Sequence, residues 1–412
     1  MSSKKNETLF YRLSFSEKCL FILYFLVFVP GFIKLLMGIN ARVGLSSINP
    51  YLTTTLFVGL GVLSLKTFKL EIKWWDLLVV LSIGVFVYWS PTIYPETTFA
   101  VLEFGPSFVL GALPYYVVGA SVSLERHYDL FISIGRIGVL VNLLISTISL
   151  LGFTNTFNAG EESMGLAYNM LPSVILVSRN YLYRHNQQDF LLTIIGLFVL
   201  MSLGTRGPIV AFALFIVLFY LFCKNYTSSI SSRIAILLGF GIFYLLLNPI
   251  LLILLTIAKS FGFGTRAYDA ILEGDVFNAE NREWIYDKVV DYIIYDKSNI
   301  GYGFFYDRVI LGMDVSSYCH NLFYEVCLDF GIYIGGALLI LFFGAVIVNM
   351  FKYRKSEASS LYLALFCSCV VQLFFSLSYL KSVLFWFFVG VTISSLRNKI
   401  PSHTNTSNYD KI

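Results

Sequence analysis

Charged residues are scarce in this sequence. Only 13% of its 412 residues are Asp, Glu, Lys or Arg, whereas 57% are hydrophobic and the mean hydropathy is +0.75. A soluble fold of this length cannot bury so much apolar surface, so the composition predicts an all-α polytopic membrane protein, one integral domain over residues 1–412. The apolar runs are continuous rather than alternating, unlike membrane β-strands. The net charge of +4 is spread over many loops, and we expect no nucleic-acid partner.

Cysteine motifs and a leader cleavage site are also lacking. The six cysteines show no C-x-x-C or similar metal-ligand spacing, and most lie in or beside apolar runs, where cysteine is a small hydrophobic residue. The basic N-terminal stretch leads into an apolar run at 19–37 without a small-residue cleavage site. We therefore expect this run to be retained as a first span.

Twelve apolar segments are predicted to cross a membrane. They lie at residues 19–37, 48–65, 75–91, 106–124, 133–152, 165–178, 189–203, 207–223, 234–258, 322–351, 359–379 and 383–397. The segment 165–178 is short for a crossing, and a re-entrant segment there would reverse the sidedness of all that follows. The basic clusters that follow it would then face outward, so the charge pattern favours twelve crossings.

The distribution of Lys and Arg sets the orientation, because these residues concentrate on the cytoplasmic side. With the N-terminus inside, 19 of the 29 Lys and Arg residues fall on the cytoplasmic side. Six of the other ten belong to one long loop, 259–321, to which the rule does not strictly apply. We predict that both termini are cytoplasmic and that this loop, between the ninth and tenth spans, lies outside and contains short helices.

Arg206 is predicted to face outward, against the usual bias. It lies in "GTRGP", whose glycines and proline let the backbone break between two spans. The next helix would begin near Pro208, with its positive dipole end beside the arginine. Such an arrangement forms an anion site. The alternative is an arginine that extends to the lipid headgroups.

The long loop contains an amphipathic pattern and a candidate base. The stretch "AENREWIYDKVVDYIIYDK" predicts a short surface helix, which Asn278 could cap and which would hold Arg282 in its first turn. Gly301 and Gly303 in "NIGYGFFYD" permit a tight backbone path. His320 is the only one of the four histidines on the predicted outer side, and its imidazole can accept a proton near neutral pH.

Taken in order, these motifs resemble those of the bacterial O-antigen polymerase and O-antigen ligase superfamily. The resemblance covers roughly residues 189–351: a "TRG" arginine that opens a helix, "NREWIY" in the long loop, the "GYG" turn, and "HNLFYEVCLDFGIYIG". It implies a GT-C-like membrane fold, a bacterial inner-membrane location and a periplasmic long loop. The activity implied is glycosyl transfer, with inversion, from a glycan on undecaprenyl diphosphate in O-antigen, lipopolysaccharide or capsule synthesis.

The resemblance also implies roles for individual residues. His320 matches the catalytic histidine of the family, which would take the proton of the acceptor hydroxyl. Arg206 and Arg282 match its arginines, which would bind the departing diphosphate. Asn321, Gly301 and Gly303 would support this site. The implied partners are the lipid-linked oligosaccharide, membrane lipid and a regulator of polysaccharide chain length.

We expect no metal and no cofactor. Many lipid-linked glycosyltransferases hold a divalent ion with a carboxylate pair in the first outer loop, but "MGINARVGLSSIN" contains no acid. Glu273 and Asp275 form an E-x-D pattern in the long loop, but we interpret them as flexible surface acids rather than as metal ligands. The aromatic residues of that loop could stack on sugar rings or form an interfacial belt; they are Trp284, Tyr302, Tyr306 and Tyr318.

Three functions remain open at this point. A polymerase joins repeat units, whereas a ligase transfers the finished chain to lipid A-core, and the motifs do not separate them. We favour the polymerase because polymerases are the more divergent sequences and this chain keeps only short motifs. A flippase for lipid-linked sugars is the third alternative. The predicted spans show no mid-membrane acid and no internal repeat, which argues against transport.

Overall fold

All regular secondary structure in the described part of the computed structural model is helical. The described residues are 15–29, 32, 73–150, 161–203, 206–223, 256, 283–295, 301–312, 318–354 and 356–397. Within these ranges no β-strand occurs. The α-helices, numbered in chain order, are α1 (Phe15–Phe28), α2 (Trp74–Ile93), α3 (Thr98–Pro106), α4 (Pro114–Ala120), α5 (Tyr128–Leu150), α6 (Glu161–Arg184), α7 (Gln187–Ser202), α8 (Arg206–Phe222), α9 (Glu283–Tyr295), α10 (Tyr306–Leu311), α11 (Leu322–Lys352), α12 (Glu357–Cys369) and α13 (Val383–Arg397).

Three shorter helical turns join these helices. They are the 3-10 turn Pro95–Thr97, the π-helical turn Ser107–Ala112 and the 3-10 turn Val371–Phe374. Together with α3 and α4, the first two form one helical segment, Pro95–Ala120. Pro106 and Pro114 lie in this segment, and the wide π-helical turn between them accommodates the prolines, which cannot donate to the helical ladder.

Among the described residues, five helical segments are long and apolar enough to cross a membrane, and the prediction of a polytopic membrane protein is confirmed. These segments are Trp74–Ile93, Pro95–Ala120, Tyr128–Thr147, Leu322–Lys352 and Glu357–Phe374. Shorter apolar helices occur at Gln187–Met201, Gly207–Phe222 and Val383–Arg397. The predicted spans 48–65 and 234–258 lie outside the described residues, apart from residue 256. The total of twelve spans therefore stays a prediction.

The predicted span 165–178, which is short for a membrane crossing, is part of a longer helix. α6 has 24 residues, which corresponds to about 36 Å at 1.5 Å per residue and exceeds the hydrocarbon thickness. The predicted length was wrong because Ser178, Arg179 and Asn180 lower the local hydropathy. All three side chains are buried against neighbouring helices rather than exposed to lipid.

Ion pairs and charge-assisted bonds join the helix ends that we predict to be cytoplasmic. Arg136 on α5 makes a two-pronged contact with Asp189 on α7, at 2.6 and 2.8 Å. Arg397 on α13 lies 2.5 Å from Asp76 on α2. The buried Arg179 donates to the carbonyl of Glu357 at 2.8 Å, which links α6 to α12. These contacts join neighbouring helices to one another, and their location on the cytoplasmic side stays a prediction.

Small residues allow the closest helix contact. A Cβ on Gly119 of α4 would lie 1.9 Å from the carbonyl oxygen of Phe387, and a Cβ on Gly390 of α13 would lie 2.1 Å from that of Tyr116. The two backbones therefore touch where both helices carry glycine. In a membrane, where lipid removes most of the hydrophobic drive for helix association, such close packing stabilises the bundle.

Replacing Gly119 or Gly390 by Ala should destabilise the protein. Each added methyl group would meet backbone atoms that cannot rotate away, and overpacking of this kind costs about 1–3 kcal/mol. The thermal midpoint in detergent should fall for both variants. Gly344→Ala is the matched control, because a Cβ there meets nothing within 4 Å. Equal midpoints for Gly390→Ala and Gly344→Ala would contradict this account of the α4–α13 contact.

Candidate active site

Two helices from the long loop lie against the beginning of α11. The predicted amphipathic helix is present as α9, Glu283–Tyr295, and buries Ile285 and Val289. These side chains form a small apolar cluster with Ile310 of α10 and Leu328 of α11. The predicted cap Asn278 and the candidate ligand Arg282 lie outside the described residues. The loop is thus packed onto a membrane helix through its own apolar core.

A kink in α11 gives the loop its attachment point. Gly331 has φ 76° and ψ 163°, which interrupts the helix. In an unbroken helix the carbonyls of Leu328 and Asp329 would accept from amides four residues later. Here the amide of Tyr302 donates to the Leu328 carbonyl and that of Gly303 donates to the Asp329 carbonyl, both at 3.0 Å. The "GYG" turn therefore satisfies the backbone groups that the kink leaves open.

Glycine is required at both ends of this turn. Gly301 and Gly303 both have φ 86°, a left-handed conformation. A Cβ on Gly301 would lie 2.3 Å from the amide nitrogen of Gly331, and one on Gly303 would lie 2.6 Å from the Tyr94 ring. Gly301 and Gly303 thus lie against α11 and Tyr94, and these contacts attach the loop to the bundle.

His320 lies where the loop becomes α11. Its backbone is left-handed, with φ 52°, and its side chain is half-buried. The preceding amide, of Cys319, donates to Asp307 Oδ2 at 3.3 Å. The following residue, Asn321, caps α11, because its Oδ1 accepts from the amide of Phe323 at 2.9 Å. The backbone on both sides of His320 is therefore fixed by side chains.

A second segment, between α12 and α13, closes over the same region. Glu325 Oε2 accepts from the amide of Tyr379 at 3.1 Å, and the Ser378 hydroxyl donates to Glu325 Oε1. The Tyr379 hydroxyl donates to Asp329 Oδ2 at 2.7 Å. The amide of Leu377 donates to the Tyr318 hydroxyl at 3.3 Å. We call residues 375–382 the closing turn; its described bonds reach both α11 and the residues before His320.

Four buried charged residues at this end were missed by the sequence reasoning. They are Asp307, Arg308, Glu325 and Asp329, and each is at most 2% exposed. A signal was present, since Glu325 and Asp329 are four residues apart in an otherwise apolar helix and so share one face. Both acids lie in the predicted span 322–351 but precede the kink. Residues 332–352 alone would reach about 30 Å, which is enough to span the hydrocarbon.

Two cations and an acid lie close together beside Phe104. The Arg308 guanidinium carbon and the Lys381 Nζ lie 5.2 and 4.6 Å from the centroid of the Phe104 ring. Burial raises the pKa of Asp307, although the neighbouring Arg308 opposes this shift. Burial, followed by the charge of Arg308, lowers the pKa of Lys381 to about 8. This end of the bundle therefore holds positive charge in a partly dry setting.

The beginning of α8 lies at this same end. The helix begins at Arg206, two residues before the predicted start near Pro208. A Cβ on the next residue, Gly207, would lie 2.0 Å from the Tyr168 hydroxyl and 3.4 Å from Phe375 Cβ in the closing turn. The structure thus brings the α8 N-terminus and Tyr318, two residues before His320, to one closing turn. Since Arg282 lies outside the described residues, the meeting of both arginines with His320 stays a prediction.

The aromatic residues of the loop are largely packed on one another. Tyr302 and Tyr306 stack with ring centroids 4.4 Å apart, and Tyr292 meets both rings edge-on. Tyr318 packs on His320. Trp284 is 53% exposed, so of the four candidates for sugar stacking it presents the largest open surface. In the described part of the chain, no group of three His, Cys, Asp or Glu side chains is placed to hold a metal ion. Glu273 and Asp275 lie outside that part.

The helical bundle with its long apolar helices defines an integral membrane protein. The family model described as O-antigen ligase matches residues 191–340. This range includes α8, the long loop and the kinked start of α11, and the match confirms the resemblance to the O-antigen polymerase and ligase superfamily. No curated protein and no solved structure matches the chain.

The lowered pKa of Lys381 can be tested by chemical labelling. An amine with a pKa of about 8 is half neutral at pH 8, so its acylation rate should level off above that pH. Exposed lysines, with an ordinary pKa of about 10.4, should keep gaining reactivity up to pH 10. Competitive labelling read by mass spectrometry gives both rates in one sample.

A carboxylate variant serves as the control for this measurement. Glu103 is an exposed acid that favours the charged form of Lys381, so Glu103→Gln should move the plateau to lower pH. A labelling rate at Lys381 that still rises between pH 9 and pH 10 would show that the amine is not in the partly dry setting described.

Proposed function

We propose that the protein is a glycosyltransferase that joins undecaprenyl-diphosphate-linked oligosaccharide repeat units at the periplasmic face of the bacterial inner membrane. The match of residues 191–340 to the O-antigen ligase family supports a polymerase or ligase. The observation that carries the proposal is the placement of His320. It is a half-buried imidazole at the junction of loop and membrane helix, with its backbone held on both sides.

The proposed reaction is one inverting displacement. The acceptor hydroxyl attacks the anomeric carbon of the donor sugar, and a new C–O bond forms as the bond to the diphosphate breaks. His320 accepts the hydroxyl proton, and the lipid diphosphate leaves with the electron pair. A positioned base typically contributes about 10²–10⁴-fold to such a step.

Arg206 and Arg282 are proposed to bind the departing diphosphate. An arginine presents a planar, permanently charged group that fits phosphate oxygens in a two-pronged manner. Arg206 opens α8, so the positive end of that helix would add to the attraction. The positive charge of Lys381 at the same end of the bundle adds to this field. The reaction needs no metal or cofactor under this proposal.

His320→Ala should lower the transfer rate by about 10²–10⁴-fold while the protein is still produced and folded. The assay uses purified protein with a defined undecaprenyl-diphosphate oligosaccharide and follows chain extension on a gel. His185→Ala is a matched control, because His185 is exposed, has a similar left-handed φ of 53° and lies at the predicted cytoplasmic end. Full polymer output from His320→Ala would defeat the enzymatic proposal.

Removing the charge of either proposed phosphate ligand should slow transfer strongly. Loss of one preorganised charge contact typically costs about 10²–10³-fold in kcat, so Arg206→Gln and Arg282→Gln should each fall in this range. The lysine variants should recover part of the rate, since they keep the charge without the fork. Arg126→Gln, at an exposed arginine of a predicted cytoplasmic loop, should behave as wild type. A normal rate in either of the first two variants would refute the clamp.

The second candidate function is the ligase, because the matching family is described as O-antigen ligase. Cells that lack the protein distinguish the two. Loss of a polymerase leaves single repeat units on lipid A-core, whereas loss of a ligase leaves long chains on the carrier lipid. A regulator of chain length is a proposed partner only for the polymerase.

A further inference from the structure

Three side chains form a continuous stack that ends at His320. The guanidinium carbon of Arg308 lies 4.9 Å from the centroid of the Tyr318 ring. That ring in turn lies 3.8 Å from the His320 ring, centroid to centroid, with 40° between the planes. We call Arg308, Tyr318 and His320 the histidine stack. The Arg308 guanidinium and the His320 ring are therefore closer together than one Debye length, which is about 10 Å at 0.1 M salt.

Burial of the charged Arg308 side chain beside the Tyr318 ring costs free energy. Its side chain is fully buried, and burial of a charge carries a large desolvation cost. The Asp307 carboxylate, which is equally buried, lies 3.8 Å from Arg308 Nε. An apolar side chain of similar size would fill the same space without this cost. The arginine therefore suggests a role beyond filling the core.

Contacts at its ring and at its hydroxyl hold the Tyr318 side chain in place. The cation of Arg308 lies against its ring, and its hydroxyl accepts from the Leu377 amide at 3.3 Å and approaches the Ser376 hydroxyl at 3.5 Å. The backbone immediately after it is bound to Asp307. The plane of the Tyr318 ring is thus set by α10 on one side and the closing turn on the other. Because the imidazole packs on this ring, the ring plane restricts its orientation.

We propose that Arg308 and Tyr318 are positioning residues, which hold the His320 imidazole in the orientation that accepts the proton of the acceptor hydroxyl. This inference rests on the proposed function of His320 as the base. Neither residue needs to touch the substrate, since Arg308 acts through the Tyr318 ring. A misplacement of about 1 Å at a reacting group can cost about 10²-fold in rate, so loss of the stack should reduce kcat.

Two pairs of variants test the stack. Tyr318→Leu removes the ring and Tyr318→Phe keeps it; Arg308→Met removes the charge and Arg308→Lys keeps it. We expect the first member of each pair to lower kcat by about 10–100-fold. KM for the lipid-linked oligosaccharide should stay within about twofold of wild type, because substrate binding is not altered. The conservative members should recover most of the rate.

Exposed residues of the same types provide the controls. Tyr333→Leu changes a tyrosine on α11 that is 73% exposed, and Arg354→Met changes an exposed arginine after the end of that helix. Both should retain wild-type kcat and KM. Thermal midpoints in detergent, measured for all variants, identify those that are folded. If Arg308→Met does not fold, the Tyr318 pair decides alone, since Phe and Leu both fill the site with an apolar side chain.

The outcomes separate this proposal from the proposed function. Absence of transfer by the wild type, or full activity of His320→Ala, contradicts the function, and the positioning role falls with it. An inactive His320→Ala together with normal kcat in folded Tyr318→Leu contradicts only the positioning role. A raised KM with unchanged kcat in Tyr318→Leu would also overturn it, because the tyrosine would then bind substrate. A lowered kcat restored by Tyr318→Phe supports it.

Discussion

The break in α11 at Gly331 is the constraint on which the site depends. A straight helix would satisfy the carbonyls of Leu328 and Asp329 internally and would offer the loop no backbone partner. The left-handed glycine frees these carbonyls, and the amides of Tyr302 and Gly303 bind them. The loop is thereby attached to a membrane helix through backbone bonds, and α10 follows directly from this attachment. α10 carries the carboxylate that holds the amide before His320.

The geometry of the ion pairs differs between the two ends of the bundle. At the predicted cytoplasmic end, Arg136 and Asp189 meet in a two-pronged pair of short bonds, which suits a permanent fastening. At the other end, Arg308 and Asp307 are fully buried yet lie 3.8 Å apart. Buried charges cost stability and cluster at functional sites. The contrast supports chemistry at the loop end and a structural role for the ion pairs at the other.

Much of the architecture follows from patterns in the sequence, and the rest depends on contacts between distant segments. Hydropathy predicts the apolar helices, and apolar spacing predicts α9. The full length of α6 escapes this reasoning, because Ser178 and Arg179 appear polar in the sequence but are buried by neighbouring helices. Asp329 escapes it as well, since its partner Tyr379 lies 50 residues further along the chain. His320 could be found because it is the one histidine on the predicted outer side.

The short "HN" motif can be explained residue by residue. Asn321 caps α11 with its side chain, so the helix cannot begin earlier, and His320 becomes the last residue of the loop. The glutamate four residues later, Glu325, binds the closing turn. The side chains of Asn321 and Glu325 are thus both engaged in hydrogen bonds at the beginning of α11. His320, which precedes Asn321, packs its ring on Tyr318 and leaves part of the imidazole exposed. An imidazole that is positioned at the junction of loop and helix and is partly exposed suits the proton-accepting role proposed for it.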